Sequence, residues 1–493
     1  MSESKFWKIK QLFIFILVAL AANFNYGFST TYINTSVDQF KNFLNTSLSH
    51  RHVVMTETKY DIIWNLFLNC WFVGYFVGVW FSPIFNDKFG RKVGFLIGNS
   101  TAFLASILQC LAILWYCPEL LIECSPTHLR GSFSFLSEVS YSSMTMVGSF
   151  LGQDYILGSH LFWLCFFVVP FCLFFTLALF LLPETPKFLL ISKDSEEQAT
   201  ESVKYYHGVD SDAKQVLEEI RKEAECENDP LEDSTTFRKM KELFTEPHLR
   251  MALILSVSAL TNTVGLWALL LSSTFFLENA NVESEVAEWS TTAMSLAYVS
   301  GTVTGGIIIE KVGRRTLLLL FTFLNNLALL AFVFFAKIRI LIDPMKYGCL
   351  GALIIYGYTY GTGVGPISWF ISSELVPQKH RSIAQSVAYA INTLMVVIST
   401  FTVLPLYSVI GSYAFVILYS IPSFISMLIL FSLFILDVIR STGPPSSPDD
   451  HIFLYFFYVL TCQLPRSRED NMCGCGTTRG MEGTDSNPPV VSD

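Results

Sequence analysis

Glu123 and Arg130 stand seven residues apart with Pro126 between them, and Glu374 and Arg381 repeat that spacing around Pro377. A second charged pattern also occurs twice, as "DKFGRK" from Asp87 through Arg91 and Lys92, and as "EKVGRR" from Glu310 through Arg314 and Arg315. Carboxylates and cations in this arrangement can form and break ion pairs. Such charges are costly in hydrocarbon and belong at a membrane interface, where helix ends meet. Water-exposed pairs are worth only ~0–1 kcal/mol each, which suits a gate between two states better than a static staple. Positive-inside anchoring is the competing reading of the same cations.

The elements that would carry these charges are membrane helices. The chain has 493 residues, 52% hydrophobic and 15% aromatic, with a positive mean hydropathy, more apolar residue than one soluble core needs. Its net charge of -9 collects in the hydrophilic stretch 194–233 and the tail, so nothing suggests nucleic-acid binding. The eleven cysteines lie mostly in apolar runs, among them Cys70, Cys110, Cys165 and Cys172, and read as small buried hydrophobes rather than a disulfide framework. A window of ~20 residues finds about eleven spans, near 9–30, 62–85, 92–116, 132–157, 159–182, 250–277, 288–309, 315–336, 346–372, 383–408 and 412–436. The runs are continuously apolar rather than alternating, so helices and not a barrel are expected. The fold class is thus an all-α membrane protein. Its first span is preceded by Lys5, Lys8 and Lys10, which place the N-terminus in the cytosol.

Residues 183–249 are mostly hydrophilic, with helix-like charge spacing in "DAKQVLEEIRKEAE", and divide the spans into two halves. The expected organisation is a helical bundle over 1–182, a cytosolic helical linker over 183–249, a second bundle over 250–436, and a disordered tail over 437–493. "GTGVGPISW" at 361–369 places Gly and Pro inside a span, for close helix packing or for a broken helix beside a solute cavity.

With "ECSPTHLRG" at 123–131, "PETPKFL" at 183–189, "GVGPISW" at 363–369 and "ELVPQKHR" at 374–381 added to the two Gly-Arg motifs, the chain resembles the facilitative glucose transporters of the major facilitator superfamily. The resemblance implies a two-bundle, twelve-helix fold with about eleven spans present here. Arg314 and Arg381 are 67 residues apart, Arg91 and Arg130 only 39, and the deficit of 28 residues equals one crossing with its turns. The fourth helix of the resemblance is the one missing. Counting crossings, "ECSPTHLRGS" would follow three of them and stand on the wrong side.

The resemblance also implies a sugar site. Trp369 matches the family's tenth-helix tryptophan and Asn392 its eleventh-helix asparagine, with Thr393 where a second tryptophan is usual. Thr261, Asn262, Gly265, Leu266 and Trp267 stand where the seventh helix usually carries two glutamines and an asparagine, and Gly361 and Ser149 replace two further polar positions. The solute-binding candidates are therefore Trp369, Asn392, Asn262 and Trp267. Trp369 could equally be packing, and Asn262 a tie to a neighbouring helix. Glu138, an acid inside a span, is a candidate for proton coupling or a snorkelling side chain.

Sequons occur at Asn34, Asn45 and Asn99, and Asn45 is the best glycosylation candidate, because Asn34 lies close to the membrane and Asn99 inside a span. The eight histidines are dispersed, no phosphate loop follows a strand, and "CGCG" at 473–476 lies in a polar tail, so no enzyme, cofactor or metal is expected. The expected function is facilitated diffusion of a hexose or related polar solute by alternating access in the cell membrane, with lipid as surroundings. The alternatives are a non-transporting relative that binds a ligand or partner, and a transporter of a different small organic solute. The sequence leaves the oligomeric state open.

Overall fold

The structure, a computed structural model, describes residues 3–37, 39–40, 57–108, 130–191, 193–207, 213–225, 236–376 and 378–442. The first bundle holds α1 (Glu3–Thr35), α2 (Glu57–Phe89), α3 (Arg91–Leu108), α4 (Arg130–Leu151) and, after a π-helical turn at Asp154–Gly158, the pair α5 (Leu161–Phe166) and α6 (Val168–Phe180). Short helices α7 (Pro186–Ile191), α8 (Glu196–His207), α9 (Ala213–Glu225) and α10 (Thr236–Thr245) follow. The second bundle holds α11 (Pro247–Thr261), α12 (Val264–Glu278), α13 (Ser284–Val312), α14 (Arg314–Ile338), α15 (Lys346–Thr359), α16 (Gly365–Leu375), α17 (Gln378–Ile410) and α18 (Ile421–Thr442). The last helix runs past the expected boundary of the tail at residue 437.

Among the described residues, 8 helices are long and apolar enough to cross a membrane. The expected spans at α3, α4 and α15–α16 fall outside that set for visible reasons. α3 is described only as far as Leu108, α4 is rich in serine and contains Glu138, and α15 is separated from α16 by a π-helical turn at Tyr360–Val364. Helix breaks recur in the second bundle. Asn262 and Thr263 part α11 from α12, Ser272 has non-helical φ −148° and ψ 17° within α12, and Pro405 sits inside α17. Such breaks are tolerated in a membrane where neighbouring helices take up the freed backbone groups.

Contacts along the helices fix their directions. Asn23 Nδ2 donates to Ser137 O at 3.1 Å, Thr31 Oγ1 to Thr145 O at 2.8 Å and Ser36 Oγ to Gly152 O at 2.8 Å, so α1 and α4 run parallel. Phe24 stacks near Phe175 at 5.4 Å while Phe28 meets Phe167 at 5.5 Å, which sets α6 antiparallel to α1. Lys92 Nζ reaches Phe180 O at 3.1 Å and Ser106 lies 3.8 Å from Cys172, which sets α3 antiparallel to α6. It follows that α3 and α4, consecutive among the described helices, both run in the direction of α1, from the inner end to the outer.

This geometry corrects the expectation that Arg130 follows an odd number of crossings onto the wrong side. α4 starts at the same inner end as Arg91, and the chain between Leu108 and Arg130 lies outside the described residues.

The linker helices pack on themselves through Leu189, Leu190, Ala199, Val203, Leu217 and Ile220. They are tied to the first bundle where Gln11 Nε2 donates to Tyr206 O at 3.0 Å and the Tyr206 hydroxyl donates to Pro183 O at 2.8 Å. The two bundles meet along a seam formed by α4 against α13, α2 against α17 and α1 against α12.

Candidate functional site

The repeated inner-face motifs turn at glycines held in backbone conformations that L side chains rarely adopt. Gly90 has φ 99° between α2 and α3, and Gly313 has φ 85° between α13 and α14. Beyond Gly313, Arg314 Nη2 lies 3.2 Å from Glu374 Oε1 at the end of α16, both side chains partly exposed. Beyond Gly90 the carboxylate is a different one. Glu184, from "PETPKFL", accepts the backbone N–H of Lys92 at 3.0 and 3.2 Å, seating a negative charge on the first turn of α3 where the helix dipole favours it.

Of the latch residues, the structure thus joins Arg314 and Glu374. It places Arg91 and Lys92 at the start of α3, Arg315 after Arg314, Glu310 in the last turn of α13, and Arg381 in the first turn of α17. Glu123 lies outside the described residues, as do the side chains of Asp87 and Arg130, and the glycosylation candidate Asn45. A further contact was not legible in the repeats: His380 Nε2 lies 2.8 Å from Glu242 Oε2, docking α10 against the start of α17.

The seam itself is tied by single hydrogen bonds between opposite bundles. Asn34 Nδ2 donates to Ser273 Oγ at 2.9 Å, Thr400 Oγ1 to Asn69 Oδ1 at 2.5 Å and Gln153 Nε2 to Thr292 Oγ1 at 2.9 Å. Ser142 and Thr302 share a hydrogen bond of 3.1 Å. These ties stand from the middle of the helices to their outer ends. Towards the inner end Phe135 of α4 lies 6.2 Å from Phe370 and in the same buried cluster as Ile309 and Ile367.

At mid-height the seam is aromatic. Trp267 is buried between bundles, with ring centroids 5.7 Å from Trp71, 5.3 Å from Phe72 and 5.9 Å from Tyr26. Tyr141 leads on to Tyr298 at 6.3 Å and Tyr298 to Tyr360 at 5.4 Å. Tyr360 is hydrogen-bonded by the Trp369 side chain. Trp369 in turn lies 5.2 Å from Tyr389, whose hydroxyl donates to Trp369 O at 2.6 Å. Close backbone approach makes this possible, since a Cβ on Gly361 would fall 2.4 Å from Tyr298 O. "GTGVGPISW" therefore serves both as a tight packing face and as a helix break.

Several buried polar atoms in these surroundings have no hydrogen-bond partner among the described residues: Trp71 Nε1, Gln385 Oε1, Asn392 Oδ1 and Tyr419 Oη. Buried groups of this kind normally find partners, and a ligand with several hydroxyls offers both donors and acceptors. Asn262 is different. Its Nδ2 donates to Ser426 Oγ at 3.0 Å and its Oδ1 accepts from Ser423 Oγ at 2.6 Å, so it ties the α11–α12 break to α18. Glu138, absent from the sugar-site resemblance, is 4% exposed and accepts a hydrogen bond from the Tyr298 hydroxyl across the seam.

A family model described as "Sugar (and other) transporter" matches residues 14–117 and 112–440. The chain belongs to the sugar (and other) transporter family. The two matched stretches overlap between α3 and α4, the region where the fourth helix of the twelve-helix plan is expected. Among the family's relatives, the mouse facilitated glucose transporter member 3 is 29% identical over 409 residues, covering 76% of this chain and 80% of that one. The human member 3 is 28% identical over 414 residues, covering 77% and 81%. The solved structure of the proton:xylose symporter XylE bound to 6-bromo-6-deoxy-D-glucose aligns with a TM-score of 0.66 at 16% identity, over 88% of this chain and 96% of that one. The E. coli protein in a partially occluded inward-open conformation aligns with a TM-score of 0.62 at 15% identity, over 88% and 99%. The fold is that of the major facilitator transporters, and this family member is a multi-pass membrane protein.

Proposed function

We propose that the protein moves a hexose or a closely related hydroxyl-rich solute across the cell membrane, down the solute's gradient, by rocking its two bundles about a site at mid-seam. The observation that carries this reading is the construction of the seam. Its polar ties are single side-chain hydrogen bonds, and such bonds between membrane helices average ~0.6 kcal/mol each. A handful of them is within reach of the binding energy of a small polyol, so the seam can open and close repeatedly.

The unpartnered Asn392 Oδ1, Gln385 Oε1 and Trp71 Nε1 supply the acceptor and donor chemistry that sugar hydroxyls need. Trp369 and Trp267 supply flat apolar faces against which a pyranose ring can lie. The inner-face residues Asp87, Arg91, Lys92, Glu123, Arg130, Glu310, Arg314, Arg315, Glu374 and Arg381 would bias which face is open, since exposed pairs such as Arg314–Glu374 are individually weak. The names of the curated relatives, facilitated glucose transporters, agree with a hexose as the solute. The experiment is uptake of radiolabelled hexose into liposomes containing the purified protein. Saturable uptake supports the reading, and uptake equal to that of empty liposomes removes hexose as the substrate.

A further inference from the structure

Three buried side chains on the inner half of the second bundle carry polar atoms with no hydrogen-bond partner among the described residues: Ser372 Oγ on α16, and Gln385 Oε1 and Asn392 Oδ1 on α17. All three stand on faces turned to the first bundle. Ser372 follows Gly365 by seven residues, two helical turns, and an added Cβ at Gly365 would lie 2.8 Å from Glu138 Oε1 of α4. On α17, Gln385, Tyr389, Asn392, Val396 and Thr400 recur at helical spacing, and Thr400 donates its hydroxyl to Asn69 of α2 across the seam.

One hydroxyl brings Gln385 to α16. Tyr389 Oη accepts from Gln385 Nε2 at 2.9 Å and donates to Trp369 O at 2.6 Å, which sets Gln385 beside the single turn of α16 that runs from Trp369 to Ser372. The Gln385 amide is oriented by this bond. Its nitrogen is committed to Tyr389, and its oxygen is left as an acceptor close to the inner end of the seam. Tyr389 shares a buried cluster with Tyr75 and Val79 of α2, so the opposite wall belongs to the first bundle.

Asn392 presents the same acceptor chemistry farther out. It follows Gln385 by seven residues, which is about 10 Å along the helix axis. A hydrogen bond of ~2.8 Å at each end leaves about 5 Å between the two groups that could be bonded at once. That is the span of a pyranose ring between hydroxyls on opposite carbons. Tyr389, midway on the same stripe, and Trp369, edge-on to it at 5.2 Å, supply aromatic surface between the two amides.

We propose that a single solute molecule lies lengthwise along α17, one hydroxyl on Asn392 at its outer end and another on Gln385 and Ser372 at its inner end. Gln385 and Ser372 are then specificity-determining residues, selecting rings that carry hydroxyls at both ends, and Tyr389 is the positioning residue that aims the Gln385 oxygen. This rests on the hexose reading above and gives that solute an orientation. Buried acceptors built for hydroxyls reject an analogue that lacks one, because the acceptor is then left unpaired.

The test is a cycle of ligand and protein changes, read as inhibition of labelled-hexose uptake into liposomes containing the full chain. D-glucose is compared with deoxy analogues that each lack one hydroxyl. In the unmodified protein, loss of either of two hydroxyls on opposite sides of the ring is expected to weaken inhibition about fivefold. Gln385→Leu weakens glucose itself by about the same factor and erases the penalty for one of those two hydroxyls only, while Asn392→Ala erases the penalty for the other. Ser372→Ala, a smaller change, lowers the same penalty as Gln385→Leu. Variants that weaken every analogue by one common factor have only a structural role and overturn the inference, leaving the hexose reading intact. The inference is equally overturned if Gln385→Leu and Asn392→Ala erase the penalty for the same hydroxyl.

If the unmodified protein takes up no hexose, the hexose reading falls and the same cycle is read on the purified protein as a rise in thermal midpoint with pentoses, inositols and hexitols. A polyol whose stabilising effect is lost separately in Gln385→Leu and in Asn392→Ala supports the inference. No such polyol in that set overturns it.

Discussion

Asn34, near the outer end of the first helix, donates its side-chain N–H to Ser273 Oγ on the opposite bundle at 2.9 Å, and Ser273 in turn shares a hydrogen bond of 2.9 Å with Thr291. This chain of small polar groups joins α1, α12 and α13 at the outer end of the seam. Replacing Ser273 with alanine removes the joint without adding bulk. A loss of ~0.6 kcal/mol changes the ratio of open to closed seam by about threefold. Modification of a cysteine placed at Asp154, beside this end of the seam, is expected to speed up by about that factor. An unchanged rate would mean that the joint carries no closing energy.

The same contact decides between two sequons. Asn34, Thr35 and Ser36 are buried, and the Asn34 amide is committed to Ser273. Asn34→Gln is therefore expected to leave the glycan untouched, and Asn45→Gln to remove it, read as the loss of a glycosidase-sensitive band shift. A shift that survives Asn45→Gln and disappears in Asn34→Gln would contradict the placement of α1.

The inner-face turns differ in how much room they leave. Around Gly313 a Cβ would meet nothing within 4 Å, so alanine there bears only backbone strain of ~1–3 kcal/mol. At Gly90 a Cβ would fall 2.5 Å from Glu184 Oε2 and 2.8 Å from Phe188 Cε1, adding a clash to the same strain. Gly90→Ala is expected to lower the thermal midpoint in detergent more than Gly313→Ala does. Equal losses would mean that the Glu184 contact on α3 is not formed in solution.

The two asparagine candidates should separate in kinetics. Asn262 is spent on Ser423 and Ser426, so Asn262→Ala takes away the acceptor of the buried Ser423 hydroxyl and a donor to Ser426 Oγ and costs ~1–3 kcal/mol of stability. Asn392 keeps an unpartnered buried Oδ1, so Asn392→Ala is expected to raise KM for the solute about fivefold or more, the loss of ~1 kcal/mol of binding, with little change in thermal midpoint. The reverse pattern would exchange their roles.

The two bundles, the linker between them and the paired turns at Gly90 and Gly313 were legible in the sequence because each has a strong local signature: apolar runs, a charged helical stretch and a repeated Gly-Arg motif. The partner of the first turn was not. The described structure seats Glu184 on α3, and a carboxylate meeting a backbone N–H leaves no mark in charge spacing, while Glu123 lies outside the described residues. Asn262 resembled a solute residue by position, and only its two serine partners 161 and 164 residues away reveal it as a tie. Parity misled because it counts apolar runs alone, whereas the direction of α4 is set by side-chain hydrogen bonds to α1 that no apolar run records. Glu138 was visible as an acid inside a span, but its burial and its tyrosine partner depend on how α4 packs on α13.

The central claim is alternate opening of one site to the two sides of the membrane, and counterflow measures it most directly. Liposomes containing the purified protein are preloaded with unlabelled hexose, diluted into a trace of labelled hexose at equal pH, and followed for uptake. A carrier whose site faces one side at a time accumulates label transiently above its equilibrium level. Label that rises no faster than in protein-free liposomes, or that rises without the transient excess, would contradict the account.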